Sequence, residues 1–210
     1  FCADIASDGD ASNDCLSAST YAASDEGTRI TCCEIFTSST CPPCYSFSTS
    51  GYAGTGWSYG MATENVNEQG TAQLTAIAYQ VDWPGAGDHA WNSEVETRRG
   101  YYAVTGAPSA LADGNMSSGW TTFTDTYVDQ FQAMPAFVDI EATHTISGGT
   151  IDVDVTVDPY ANWTGAKLMV ALIDKDYPAT SDPSFSNGET EFHHVFRKML
   201  PSASGENVNI

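Results

Sequence analysis

The pair Cys41-Pro42-Pro43-Cys44 constrains this chain more than any other feature of its sequence. Pro42 and Pro43 lack backbone donors and have φ fixed near the helical value, so they fit the first turn of a helix, where N–H groups are unpaired anyway. Just upstream, Ile30-Thr31-Cys32-Cys33-Glu34-Ile35-Phe36 is a β-prone run, followed by the polar stretch Thr37-Ser38-Ser39-Thr40. The pattern predicts a strand that delivers a dithiol to a helix N-terminus. There, free N–H groups and the positive end of the helix dipole stabilise a thiolate on Cys41. Cys44, one turn later on the same face, is placed to resolve a mixed disulfide formed at Cys41. The competing uses of a Cys-x-x-Cys pair are a fixed bridge and a zinc site. Zinc needs a second ligand pair, and His89, His144, His193 and His194 lie far from the cysteines in sequence.

The other cysteines bear on the compartment. The six cysteines, Cys2, Cys15, Cys32, Cys33, Cys41 and Cys44, are an even set crowded near one end of the chain. With 7 Lys+Arg against 27 Asp+Glu, this usage suggests an oxidising, extracytoplasmic setting. Cys2, Cys15, Cys32 and Cys33 read as structural disulfide cysteines, paired either as Cys2 with Cys15 and Cys32 with Cys33, or across those pairs. Cys32 and Cys33 are neighbours on a strand and point to opposite faces. A net charge of −20 repels nucleic acid and anionic lipid, which removes both as expected partners. No apolar run is long enough for a membrane span or resembles a signal peptide. A start at Phe1 rather than Met leads to the expectation that an export signal or a longer N-terminal part is missing.

Three segments follow from a pass along the chain. Residues 1–28 are rich in Asp, Ser, Ala and Gly and read as a loop-like, disulfide-held arm. Residues 29–134 give the order strand, helix, strand, helix, Pro-led strand, turn, helix. The second strand is Gln73 to Tyr79, and Asn92 caps a helix through Val95, Arg98, Tyr101 and Tyr102. Ser109-Ala110-Leu111-Ala112 follows Pro108, and a helix is expected from about Gly119 to Met134. From residue 135 the chain alternates: Phe137 to Ala142 and Ile151 to Val157 flank Gly148-Gly149 as a hairpin with one wet face. Two more strands, Lys167 to Ile173 and Glu191 to Met199, make residues 135–210 an immunoglobulin-like sandwich segment with fewer strands than such a sandwich needs.

Two motifs carry a family resemblance. Glu34-Ile35-Phe36-Thr37-Ser38-Ser39-Thr40-Cys41-Pro42-Pro43-Cys44 resembles the active-site segment of thioredoxin-like proteins, and Val104-Thr105-Gly106-Ala107-Pro108-Ser109 resembles their cis-proline loop. The resemblance implies an α/β thioredoxin-like domain over residues 29–134, with Pro108 facing the dithiol and shaping the groove for an extended substrate peptide. Together with Arg99-Gly100-Tyr101-Tyr102 and Glu191-Phe192-His193-His194-Val195-Phe196-Arg197-Lys198-Met199-Leu200-Pro201, the chain resembles the Omp28-related surface and secreted proteins of bacteria. Thr40 stands where an aromatic residue is usual, and Pro42-Pro43 replaces the common Gly-Pro. Glu34 is a candidate proton relay to Cys44, set against the alternative of a wet strand face.

Other constellations have plainer readings. Asp8, Asp10 and Asp14 offer oxygen ligands at calcium-loop spacing but lack the terminal bidentate Glu, so a flexible acidic turn is preferred over Ca2+. No other cofactor is expected. His193 and His194 face opposite sides of a strand and do not share a metal. His89 lies with Asp82 and Asp88 in a Pro/Gly-rich loop that reads as solvated, the alternative being a border of the dithiol groove. Two functions remain. One is an enzyme that exchanges disulfides with protein thiols and disulfides through Cys41 and Cys44. The other is a surface or filament-like subunit in which the fold is scaffold, the cysteines are bridged and the open β-half pairs with a neighbouring subunit, as in a homo-oligomer.

Overall fold

The computed structural model describes residues 22–50, 74–178 and 186–209. Its fold is mixed α/β, mostly sheet with few helices. The first strand, β1 (Thr31–Thr37), is buried along nearly its whole length. Side chains alternate along a strand, so Cys33 and Ile35 enter one core while Phe36 enters another on the opposite face. A strand covered on both faces sits inside a sheet. β1 does so, pairing in parallel with β2 (Leu74–Gln80) and antiparallel with β3 (Ser109–Ala112). β3 turns through Asp113 and Gly114, at φ 46° and 75°, into the short β4 (Asn115–Met116).

Helices cover the two faces. α1 (Pro42–Ser50) begins at the dithiol and contributes Phe47 to the core that holds Cys33 and Ile35. α2 (Ser93–Tyr101) contributes Val95 to the core of Phe36, Tyr79, Leu111 and Phe196. Asn92 starts it, accepting the N–H groups of Glu94 and Val95 at 3.0 and 3.4 Å. The single helix expected from Gly119 to Met134 is two pieces: a 3-10 turn at Trp120–Thr122, then α3 (Asp125–Gln132). Thr124 makes the break, because its backbone is extended and its hydroxyl caps Tyr127 N. Fully burying a side chain such as Phe36, Phe47 or Phe123 contributes roughly 1.5–3 kcal/mol.

The β-half is organised differently from the expected sandwich. β8 (Val170–Pro178) and β9 (Glu191–Leu200) join the central sheet, whose order is β4-β3-β1-β2-β9-β8 once β9 pairs in parallel with β2. Phe192, His194, Val195, Phe196 and Met199 of β9 are all buried. Burial of adjacent residues marks a strand covered on both sides, which a sandwich strand with one wet face is not. β7 (Ala166–Leu168) and β10 (Glu206–Val208) form a small antiparallel pair.

The boundaries expected at 28/29 and 134/135 also shift. One compact unit combines Gly27–Ala136 with Thr164–Asn209, and the second holds Phe137–Trp163. Within the second unit, β5 (Val138–Ser147) and β6 (Thr150–Pro159) form the predicted hairpin through Gly148 and Gly149, both at positive φ. Its register sets Ile140, Ala142, His144 and Ile146 opposite Val157, Val155, Val153 and Ile151. Asp139, Glu141 and the acids Asp152, Asp154 and Asp158 lie on the other face.

Candidate functional site

The end of β1 leads through a tight turn into α1. Cys41 N donates to the Ser38 carbonyl at 3.1 Å, and Cys44 N donates to the Cys41 carbonyl at 3.1 Å. The same Cys44 N–H lies 3.2 Å from Cys41 Sγ, so that sulfur occupies the acceptor position of a helix N-cap. Cys41 and Cys44 are joined as a disulfide with Cα atoms 5.3 Å apart. Both residues are buried, at 1 % and 0 % exposure, while Pro42 and Pro43 face solvent.

Among the described residues, three segments meet the dithiol turn. The loop before β3 brings the Ala107 carbonyl to 3.5 Å from Cys41 Sγ, and the following bond to Pro108 is cis. The loop after β2 supplies Asp88, whose carboxylate accepts Ser39 N at 2.9 Å and Ala90 N at 3.0 Å. In the same loop Gly85 exchanges hydrogen bonds with the Thr40 hydroxyl, donated O–H to carbonyl at 2.8 Å and N–H to hydroxyl at 3.1 Å. Asp82 shapes this loop by accepting Gly87 N and Asp88 N. The loop holding Asp82 and Asp88 therefore borders the dithiol turn instead of being solvated throughout, while His89 is exposed.

The third segment comes from the connection ahead of β9. Ser186 N and Asn187 N both donate to the Ser39 carbonyl, at 2.9 and 3.1 Å. The Asn187 amide donates to the Ser38 carbonyl at 3.0 Å, to the Cys41 carbonyl at 3.3 Å, and to Glu189 Oε2. Glu189 is 6 % exposed, and among the described residues its Oε1 has no hydrogen-bond partner. Burial pushes the Glu189 carboxyl up to about 7; the Asp88 charge adds to this, and Ser48 and Asn187 oppose it. Sequence reasoning missed Asn187 and Glu189. Only the polar Ser186-Asn187-Gly188 run marked this stretch, and nothing in it pointed at Cys41.

Glu34 does not serve the dithiol. It shares with Phe36 the face of β1 turned toward α2, whereas α1 packs on the Cys33 and Ile35 face. Its carboxylate is buried and accepts from Arg98 Nε at 2.8 Å, Tyr79 Oη at 3.0 Å and Tyr102 Oη at 2.5 Å. Burial, and then the Glu34 charge, raise both tyrosine hydroxyls far above their ordinary range. The proton relay expected at Glu34 is replaced by a closed ion-pair network.

Cys32 and Cys33 are free thiols, not the bridged cysteines expected from the sequence. Their alternation on β1 keeps the two sulfurs on opposite faces. Burial holds both protonated, pushing Cys33 up to about 12 and Cys32 higher still, with Glu34 and Asp113 adding to each. Cys2 and Cys15, and the calcium candidates Asp8, Asp10 and Asp14, lie outside the described residues. Among the described residues, Asp176, Glu191 and His193 bring possible ligand atoms within 4.8 Å of one another. They sit at the surface of β8 and β9, and His193 Nδ1 is 2.9 Å from Asp176. His194 is buried.

No protein-family model matches the chain. The search of curated proteins gives no match either. Among solved structures, HBP35 of Porphyromonas gingivalis is similar, with a TM-score of 0.59 and 14 % identity over 87 % of this chain. The chain spans 60 % of the length of that neighbour, and at this identity the likeness is one of fold.

Proposed function

We propose that this protein is an extracytoplasmic, thioredoxin-like thiol–disulfide exchange protein of the Omp28-related kind. The observation that carries the reading is the placement of Cys41 Sγ at the N-cap of α1, 3.2 Å from Cys44 N. That backbone N–H and the helix dipole stabilise a thiolate at Cys41 once the disulfide is reduced. The Cys41 thiolate attacks a substrate disulfide; a Cys41–substrate S–S bond forms, the substrate S–S bond breaks, and the departing thiolate takes a proton from solvent. The Cys44 thiolate then attacks Cys41 Sγ, restoring the intramolecular disulfide and releasing the second substrate thiol. Two electrons pass from the dithiol to the substrate, and the reverse sequence oxidises a substrate dithiol. Pro108, beside Cys41 through the Ala107 carbonyl, borders the groove for an extended substrate peptide.

The strand order supports this reading: a parallel β1–β2 pair, with the antiparallel β3–β4 pair introduced by a cis-proline. The cysteine-rich, acidic composition supports the compartment, and among the described residues no helix is long and apolar enough to cross a membrane. The test is mass mapping of alkylated cysteines after mild reduction. Cys41 is expected to alkylate first, at or below neutral pH, with Cys41→Ser abolishing exchange. Slow, equal labelling of Cys41 and Cys44 only at alkaline pH would reject the reading.

One observation favours a second reading as a structural subunit. The β5–β6 hairpin carries a largely apolar face, interrupted by His144, on which Ile140 and Ile146 are 59 % and 72 % exposed. In that reading the face pairs with a neighbouring copy. A concentration-independent monomer mass in light scattering would dismiss it.

A further inference from the structure

Cys41 is 1 % exposed and closes the turn over residues 38–41, so the atoms that hold this turn bear on access to its sulfur. Three of its carbonyls, those of Ser38, Ser39 and Cys41, accept from one short segment, through Ser186 N, Asn187 N and the Asn187 amide. The Asn187 amide has two hydrogens and three acceptors, the third being Glu189 Oε2. Asn187 Oδ1 in turn accepts Glu189 N at 3.0 Å, which ties the two residues into one unit. Glu189 is buried near Ser48 of α1, and a side chain added at Gly188 would meet the Tyr45 ring of the same helix.

We propose that Asn187 and Glu189 are positioning residues for the dithiol, forming a clasp on the Cys41 carbonyl whose grip sets how readily the Cys41 sulfur is reached. The proposal deepens the exchange reading above and rests on it for its biological use. The physical switch is competition for the Asn187 amide. A neutral Glu189 is an ordinary acceptor and leaves the amide shared with Ser38 and Cys41. An ionised Glu189 forms a charge-assisted bond and draws the amide away from those carbonyls. The charged group facing Glu189 is the Asp88 carboxylate, itself fixed on Ser39 N, so ionisation also sets two negative charges on either side of the turn. The uncharged neighbours are Ser48 and Asn187. The clasp holds when Glu189 is protonated and loosens as pH rises through about 7.

The test follows reduction of the Cys41–Cys44 disulfide by dithiothreitol, with rates divided by the reagent's thiolate fraction at each pH. In the wild type the corrected rate is expected to rise through an inflection near pH 7. Glu189→Gln removes that inflection and Glu189→Asp restores it, a rescue that a purely structural role would not produce. Asn187→Ala reduces about fivefold faster below pH 7, the factor expected from losing one neutral hydrogen bond. Superimposable profiles for wild type and Glu189→Gln, both folded, would overturn the proposal. So would a wild-type rate for a folded Asn187→Ala; should that variant not fold, the Glu189 pair decides alone. Dithiothreitol reads access to the bridge and not exchange with proteins. A clasp effect in a protein that fails to exchange with glutathione or protein disulfides would thus refute the exchange reading and leave the clasp standing.

Discussion

Glu34 and Glu189 are the same residue type in the same unit, buried to 3 % and 6 % exposure, and they are opposite in physical character. Glu34 has both oxygens occupied by three donors, one of them the Arg98 guanidinium. Arg98 also lies 4.6 Å over the Tyr102 ring and bonds its hydroxyl, so the charge is held from several sides. Glu189 has Oε2 on an amide, Oε1 without a partner among the described residues, Ser48 beside it, and a second carboxylate as its charged neighbour. Burial alone does not make a carboxyl functional. A buried acid whose charge is matched is part of the framework, and one whose charge is opposed titrates.

Removing the match should give the largest effect. Arg98→Ala strands the Glu34 carboxylate and is expected to cost about 3–5 kcal/mol in urea unfolding at pH 7, the usual penalty for breaking a buried pair. A loss near zero would erase the distinction between the two glutamates.

The next effect has the opposite sign. An acid raised from 4.5 to about 7 on folding binds more protons in the folded than in the unfolded state between those values. Stability is then full below pH 4.5 and falls as pH rises to about 7. Glu189→Gln removes that fall, so at pH 8 the variant is expected to be more stable than the wild type by up to about 3 kcal/mol, and at pH 4 to be close to it. Because the chain carries a net charge of −20, repulsion among the other carboxylates also weakens it at high pH. The informative quantity is thus the difference between the two proteins across pH, which should change between pH 4.5 and 7 and be flat outside that window.

The smallest effect dissects the Glu34 network. Tyr102→Phe removes one of its three donors and leaves Arg98 and Tyr79, so a loss of about 1.5–3 kcal/mol is expected, independent of pH between 5 and 8. A loss near zero would show that the Tyr102 hydroxyl adds nothing to the Glu34 network.

Local signals made the first half of the sheet legible in the sequence. The doubled proline placed the start of α1, Asn92 the start of α2, and Gly148-Gly149 the hairpin turn, because each is dictated by backbone chemistry within a few residues. The six-stranded sheet was not legible in the same way. That β9 inserts beside β2 depends on a partner far away in sequence, and alternation cannot say which sheet a strand joins. The free thiols at Cys32 and Cys33 escaped for a related reason: an even cysteine count suggests pairing, but burial in a strand interior decides it. At the site, Cys41, Cys44 and Pro108 announced themselves by motif. Asn187 and Glu189 did not, since their role comes from where the connection before β9 lies and from no pattern within it. Glu34 drew attention by its nearness to the dithiol in sequence, and strand alternation then put it on the other face.

The central claim, that Cys41 and Cys44 form a reversible redox couple, is tested most directly by equilibrating the protein in glutathione buffers of graded potential and mapping the alkylated cysteines by mass. The account predicts one two-electron transition in which Cys41 and Cys44 change together, while Cys32 and Cys33 stay reduced and unlabelled in the folded state. A bridge that stays closed at every glutathione ratio until the protein is unfolded would contradict it, and would make the dithiol a staple of the fold.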